Sequence, residues 1–233
     1  MTEALFTTQT FAVDGTDKVA GVVLGFRAKI KRYAKLIKML QAQGYSVIIY
    51  EFDPLAITGG DPYMVPKLID GIVEDFRAKI KDYDQVICIG MSVGAGIGFY
   101  LQKVVPEIRW AIYAVAGVSP SERVFGASLF FSARKAFVNN GFTEAKLREI
   151  WHKYEVSPDE PLTRTTPFVM VLGARDKIVK YDQAMTTLRA WQAAGVPIQI
   201  ITKQVLGHSA TIKWLKKNIT TLLKLAEEFE RPA

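Results

Sequence analysis

Apolar residues in this chain fall into short, near-continuous runs separated by stretches with helical spacing, and that alternation predicts the architecture before any motif is considered. Residues 18–24 read Lys-Val-Ala-Gly-Val-Val-Leu, the kind of run a strand covered on both faces requires. Comparable runs at 46–52, 85–89, 109–116, 167–172 and 198–203 predict further strands of the same type. Residues 5–13 alternate well enough to form an edge strand ahead of the turn at Asp14-Gly15. Helical patterns lie between the runs: 29–43, stopped by Gly44; 64–81; 93–104; 181–194, ended by Gly195-Val196-Pro197; and a long terminal helix at 209–228. The rhythm breaks only over 117–166. There two helical patterns, around 121–139 and 143–154, carry Phe125, Phe130, Phe131, Phe137, Phe142 and Trp151. Strands alternating with helices predict an α/β fold in a single domain over 1–233. Its mostly parallel sheet of about seven to eight strands would have helices on both faces and a small helical insertion at 118–165.

Composition narrows the class. With 233 residues, 49% of them hydrophobic, the chain can bury one substantial core. Its start, Met1-Thr2-Glu3-Ala4-Leu5, has an acidic residue and no basic or long apolar run, so the expectation is no secretory leader, no stable membrane insertion and a cytoplasmic setting. One cysteine, Cys88, forbids an internal disulfide, and two histidines, His152 and His208, are too few for a zinc cluster. No metal and no cofactor is expected.

A net charge of +7 raises the question of nucleic acid or anionic surfaces. Much of the excess lies at helical spacing, with Arg27, Lys31, Lys35 and Lys38 on one predicted solvated face and Ile30, Ala34, Ile37 and Leu40 on another. No nucleic-acid motif accompanies them and no aromatics interleave with them, so no nucleic-acid partner is expected, while attraction of acidic substrates stays open. The segment Phe26-Arg-Ala-Lys-Ile-Lys-Arg-Tyr33 recurs as Phe76-Arg-Ala-Lys-Ile-Lys-Asp-Tyr83. The flanks of the copies differ, which reads as two amphipathic surface segments rather than a duplicated unit.

The candidate chemistry centres on Gly90-Met91-Ser92-Val93-Gly94, directly after a strand and before a helix that opens with small residues. Such a turn presents a serine hydroxyl on strained backbone, and a Cβ at Gly90 or Gly94 would crowd the flanking strand and helix. An activated serine needs a base, and the base needs an orienting group. His208, in the turn Leu206-Gly207-His208-Ser209 after the last strand, falls at the carboxyl edge of the sheet, where open α/β folds build their sites. His152 lies in a helical pattern of the insertion and reads as a surface or packing residue. Asp176, just past the strand at 167–172, is the best-placed acid, with Asp182, Asp159 and Glu160 as runners-up. Cys88 sits within a strand and reads as an inert core residue.

With Gly90-Met-Ser-Val-Gly94, Gly173-Ala-Arg-Asp176 and Gly207-His208 in the order serine, acid, histidine, the chain resembles the α/β-hydrolase-fold serine hydrolases of the esterase, lipase and dienelactone-hydrolase-like kind. The resemblance spans nearly the whole chain, and 118–165 falls where those proteins carry a helical cap. It implies catalytic roles for Ser92, Asp176 and His208 and an oxyanion hole made by the backbone N–H groups of Val93 and Phe26. Many relatives have a His-Gly pair in the latter loop; here it reads Leu24-Gly25-Phe26-Arg27, with Gly25 expected to permit an unusual backbone. The implied function is a carboxylesterase acting on a small-molecule acyl ester. Thioesters and lactones suit the same groups, Arg27 and Lys29 lend weak support to an anionic acyl carrier, and a ligand-sensing protein without catalysis is the reading from another class.

Overall fold

The computed structural model describes residues 4–117, 119–155 and 166–230. Among them are seven strands: β1 (Phe6–Phe11), β2 (Lys18–Val23), β3 (Ser46–Phe52), β4 (Gln85–Met91), β5 (Ile108–Ala114), β6 (Phe168–Gly173) and β7 (Ile198–Lys203). They form one sheet in the order β1-β3-β2-β4-β5-β6-β7. β1 runs antiparallel to β3 at one edge, and every other pairing is parallel.

The apolar runs are continuous because the sheet is covered twice. Side chains alternate across it with period two. Val19, Val23, Ile48, Tyr50, Val86 and Cys88 enter the core on one face, under α3 (Met64–Lys79), α4 (Val93–Val104) and α8 (Tyr181–Ala193). Ala20, Val22, Val47, Ile49, Ile87 and Ile89 enter the core on the other, against α1 (Ala34–Gln41), α9 (His208–Lys217) and α10 (Ile219–Glu230).

Between β5 and β6 the chain forms α5 (Pro120–Gly126), α6 (Phe131–Asn139) and α7 (Glu144–Trp151). This insertion is tied to the body of the protein by specific bonds. Trp151 Nε1 donates to the Pro62 carbonyl at 2.6 Å and Asn140 Nδ2 to the Gly60 carbonyl at 3.0 Å, both in the loop after the short helix α2 (Leu55–Thr58). The Tyr154 hydroxyl donates to Asp70 on α3 at 2.7 Å.

Three elements differ from the sequence expectation. The segment at 29–43 opens as a 3-10 turn, Ile30–Tyr33, because Glu51 on β3 accepts the Ile30 N–H at 2.8 Å and holds the chain against the sheet before α1 begins. Ala34 is consequently exposed, and Tyr33 and Leu36 join Ile30, Ile37 and Leu40 in the core. The pattern at 121–139 is split at Ala127, whose extended φ of −93° and ψ of 133° end α5. The terminal helix is likewise two helices: at Asn218 the side-chain amide bonds the Trp214 carbonyl at 2.8 Å and competes with the backbone ladder. The repeated octapeptide follows two different paths. Phe26 lies in a loop, whereas Phe76 is buried in α3, where it packs against the place a Cβ on Gly21 would occupy.

Candidate active site

Ser92 stands between β4 and α4 with φ 56° and ψ −119°, a left-handed conformation that costs a non-glycine residue of order 1–3 kcal/mol. Close packing holds it there. A Cβ on Gly90 would lie 2.6 Å from Ala95 Cα, and one on Gly94 would lie 2.2 Å from the Val23 carbonyl oxygen, so only glycine lets the elbow nest against its own helix and β2. The Ser92 N–H donates to the Ala114 carbonyl at 2.9 Å, which pins the turn to β5. Arg27 (φ 58°) and Val115 (φ 47°) share the left-handed region, so all three strained non-glycine residues among those described follow the carboxyl ends of neighbouring strands.

The acid and the base arrive on the next two parallel strands. The loop after β7 is clamped to the loop after β6 by N–H bonds from Ala174 to the Lys203 carbonyl (3.0 Å) and from Arg175 to the Leu206 carbonyl (3.1 Å). Gly173 allows the approach, since a Cβ there would sit 2.4 Å from Leu206 O. His208, the first residue of α9, is thereby carried over Asp176. Its Nδ1 lies 2.8 Å from Asp176 Oδ2 and its Nε2 lies 2.9 Å from Ser92 Oγ.

The tautomer follows from the partners. Asp176 Oδ1 already accepts the N–H groups of Ile178 (2.8 Å) and Val179 (2.9 Å). A carboxylate only accepts, so Nδ1 carries the proton and Nε2 of the neutral ring presents its lone pair to the serine hydroxyl. The Asp176 side chain is 2% exposed and that of His208 11%, so the pair is shielded from competing water. Ser92 itself is 6% exposed.

Phe26 follows β2 at the same edge. Its ring packs against Phe130 of the insertion (centroids 5.2 Å apart), and the Arg27 guanidinium lies 5.1 Å from its centre. Gly25 does not adopt the unusual backbone expected of it; a Cβ there would meet Met91 O at 3.1 Å and Ser92 Cβ at 3.2 Å, so its role is close approach to the elbow. The left-handed residue is Arg27 instead. Neither the Phe26 N–H nor the Val93 N–H, the first of α4, finds a protein acceptor among the described residues.

Of the other candidates, His152 is exposed, with Nδ1 3.1 Å from the Glu149 carbonyl. Asp182 is exposed in the first turn of α8. Asp159 and Glu160 lie outside the described residues, as does the last part of the 118–165 segment. Cys88 is buried in β4, and burial pushes its thiol up to about 12. Among the described residues no group of three or more His, Cys, Asp and Glu is placed to hold a metal, and no helix is long and apolar enough to cross a membrane.

A small pocket, with a cavity volume of about 50 Å³, opens beside the elbow between α3, α4 and the insertion. Val93, Gly96 and Ile97 of α4 form one wall, and Val124, Phe130 and Trp151 form part of another. Of the insertion's aromatics, Phe130 and Trp151 thus line the pocket, while Phe137 packs edge-on to Trp151 and Phe131 is exposed. The sequence pattern did not single out Arg123, the one charged residue of this lining, because arginine on a predicted helix reads as a solvated residue.

The mostly parallel sheet, its antiparallel first strand and the strand–turn–helix around Ser92 are those of the α/β-hydrolase fold. No protein-family model and no curated protein matches the sequence. Solved structures match at low identity over almost the full length. The Pyrococcus furiosus esterase Pf2001 is 18% identical with a TM-score of 0.60, over 90% of this chain and 82% of that one. Est1E from Butyrivibrio proteoclasticus is 12% identical with a TM-score of 0.65, over 96% and 95%. Mouse alpha/beta hydrolase domain-containing protein 10 is 13% identical with a TM-score of 0.64, over 94% of each chain. At such identities the likeness defines the fold.

Proposed function

We propose that this protein is a serine hydrolase that cleaves carboxylic ester bonds of small to medium acyl substrates through an acyl-enzyme. The observation that carries the reading is the continuous chain of contacts from Asp176 Oδ2 through His208 to Ser92 Oγ, at 2.8 and 2.9 Å. In the first half-reaction Ser92 Oγ attacks the acyl carbonyl and His208 Nε2 takes its proton. The carbonyl π electrons move to oxygen, and the oxyanion accepts the N–H groups of Val93 and Phe26, each such donor being worth about 3 kcal/mol. As the oxyanion collapses, the bond to the alcohol breaks and His208 returns the proton to the leaving oxygen. Asp176 holds the ring and offsets the imidazolium charge. Water, deprotonated by His208, then attacks the acyl-enzyme and releases the acid and Ser92.

Ester bonds, rather than thioesters or lactones, are chosen on two grounds. The pocket beside the elbow is mostly apolar, and proteins described as esterases stand among those of similar structure. The helices between β5 and β6 serve as a cap over 118–165 that keeps water from the acyl group. A small-molecule ester is the expected partner, in a cytoplasmic setting.

Fluorophosphonate labelling of the intact protein should modify Ser92, and Ser92→Ala should abolish hydrolysis of p-nitrophenyl acetate and butyrate. Turnover retained in that variant would sink the assignment, and a protein left unlabelled would point to ligand sensing. Rates on acyl-coenzyme A and lactones well above those on esters would move the leaving group away from an alcohol.

A further inference from the structure

The exposed apolar residues of this protein are gathered at one end. Six large hydrophobic side chains stand in solvent among the described residues, and each follows the carboxyl end of a strand: Leu55 and Tyr63 after β3, Leu129, Phe131 and Val138 after β5, and Val205 after β7. Hydrophobic residues scattered singly over a surface need no explanation, but a gathering on the end that holds Ser92 does. Three of the six belong to the insertion, where α6 has apolar residues on both faces. Its inner face buries Ala133 and Phe137, and its outer face carries Phe131, Lys135 and Val138 at one-turn spacing, with Phe131 59% and Val138 54% exposed. Leu55 stands on α2, which adjoins α6: a Cβ on Gly60, just past α2, would lie 3.0 Å from Ala136 Cβ.

Positive charge is gathered in the same way. The loop after β2 exposes Arg27, Lys29, Lys31 and Arg32 and contains no acid. Lys29 is paired with Glu51, whereas Lys31 and Arg32 form no ion pair among the described residues. This loop adjoins the apolar patch through Phe26, whose ring packs on Phe130, the residue between Leu129 and Phe131. On α6 itself the Arg134 guanidinium lies 5.3 Å from the centre of the Phe131 ring. The loop after β6 exposes Arg175, Lys177 and Lys180 around the shielded Asp176. At the opposite end of the sheet, the turns that enter β2, β4 and β5 expose Asp14, Asp17, Asp82, Asp84 and Glu107 against one basic residue, Lys81. The protein is therefore electrically polarised, with its positive end around the active site.

The two gatherings coincide, and together they describe one partner. β2 and β6 stand three places apart in the sheet, about 14 Å at about 4.8 Å per strand, so the cations spread over an end of the molecule rather than along a groove. A polyanion alone would answer the cations and leave Phe131 and Val138 in water. An anionic bilayer answers both, since its headgroup charges face the lysines and arginines and its acyl boundary takes the apolar tips. We propose that this end of the protein docks reversibly on an anionic lipid surface, with Leu55, Phe131 and Val138 entering the headgroup region and Lys31, Arg32 and Lys135 meeting lipid charges. Docking needs no membrane-spanning helix. It brings the lipid close to the pocket beside Ser92, whose lining includes Phe130, between the exposed Leu129 and Phe131. The surface goes beyond the esterase reading and does not depend on it.

Vesicle sedimentation of the intact protein tests this. Partition onto vesicles of equal parts phosphatidylcholine and phosphatidylserine should exceed that onto phosphatidylcholine alone by at least about ten-fold, and the excess should shrink as NaCl rises from about 0.1 to about 0.5 M. Lys31→Gln should lower the partition coefficient about five-fold, and Phe131→Ser about ten-fold. Lys81→Gln, the same charge change at the acidic end, should leave it within about two-fold of wild type. Equal partition onto both vesicles, or none onto either, overturns the proposal on the wild-type protein alone. So does an equal loss in Lys31→Gln and Lys81→Gln, or a Phe131→Ser protein that binds as wild type does. Retention by polyglutamate without vesicle binding would assign this end to an acidic protein instead, and would overturn the proposal too. Ser92→Ala should partition like wild type, because docking requires no turnover. Vesicle binding without hydrolysis keeps the docking surface and loses the esterase reading; hydrolysis without vesicle binding does the opposite.

Discussion

Gly94 packs against β2 so closely that a Cβ would stand 2.2 Å from the carbonyl oxygen of Val23 and 2.4 Å from that of Leu24. Backbone atoms cannot swing aside as a flexible side chain can. Gly94→Ala must therefore shift α4 or β2, at the upper end of the roughly 1–3 kcal/mol typical of overpacking. Because the same shift moves Ser92 and Val93, fluorophosphonate labelling should fall much further than the urea midpoint does. Unchanged labelling in a folded Gly94→Ala protein would contradict this geometry.

Asp176→Asn probes the tautomer. The amide oxygen can keep the N–H bonds of Ile178 and Val179, which leaves the NH₂ group facing His208 Nδ1. A donor there favours the ring with its proton on Nε2, which then donates to Ser92 Oγ instead of accepting from it. Esterase kcat should drop about 10⁴-fold with little change in fold. His152→Ala, at an exposed position, should leave kcat near wild type.

Glu51 ties β3 to the loop that carries Phe26, through Lys29 Nζ at 2.6 Å and the Ile30 N–H at 2.8 Å. Burial alone would raise its pKa, but those two bonds and the charges of Lys29 and Lys31 outweigh it and hold the carboxyl below its ordinary value. A depressed folded pKa adds stability that is complete above the unfolded value, near 4.3, and is lost as pH falls through the folded one. The gap in urea midpoint between wild type and Glu51→Gln should be widest near neutrality and should shrink as pH falls below the unfolded value of about 4.3. A gap that grows on acidification would refute the sign. Loosening of the Phe26 loop should also lower kcat several-fold at neutral pH.

Cys88 offers a check on the core. Burial between the sheet and α4, opposed by the Tyr113 hydroxyl, pushes the thiol up to about 12, so the native protein should resist iodoacetamide at pH 8. Labelling should appear only with unfolding in urea, at the same midpoint as the fluorescence change. Fast alkylation of the folded chain would mean that β4 opens locally.

Much of the fold was legible from periodicity. The run at 46–52 coincides with β3, because a strand covered on both faces has no polar side to interrupt it, and the run at 198–203 and the helix at 93–104 coincide with β7 and α4. The misses share a cause. The 3-10 turn before α1, the split at Ala127 and the break at Asn218 each depend on a hydrogen bond or packing demand that local helix propensity does not encode. Uniform helical spacing from residue 29 places Ala34 on the face of Ile30, Ile37 and Leu40, and the initial 3-10 turn rotates it into solvent.

The sequence by itself determined the order of elements and singled out Ser92, Asp176 and His208, since glycine-flanked turns after apolar runs are local patterns. Tertiary structure alone decided that these three groups stand at 2.8 and 2.9 Å from one another, because the distances depend on how the loops after β6 and β7 dock across 32 and 116 residues of chain. It also decided why Gly25 is glycine, through contact with the elbow rather than through its own backbone angle. Arg123 belongs wholly to that second category. Nothing in the helical pattern of α5 distinguishes a solvated arginine from one buried at a pocket wall, since burial is a property of what folds over the residue.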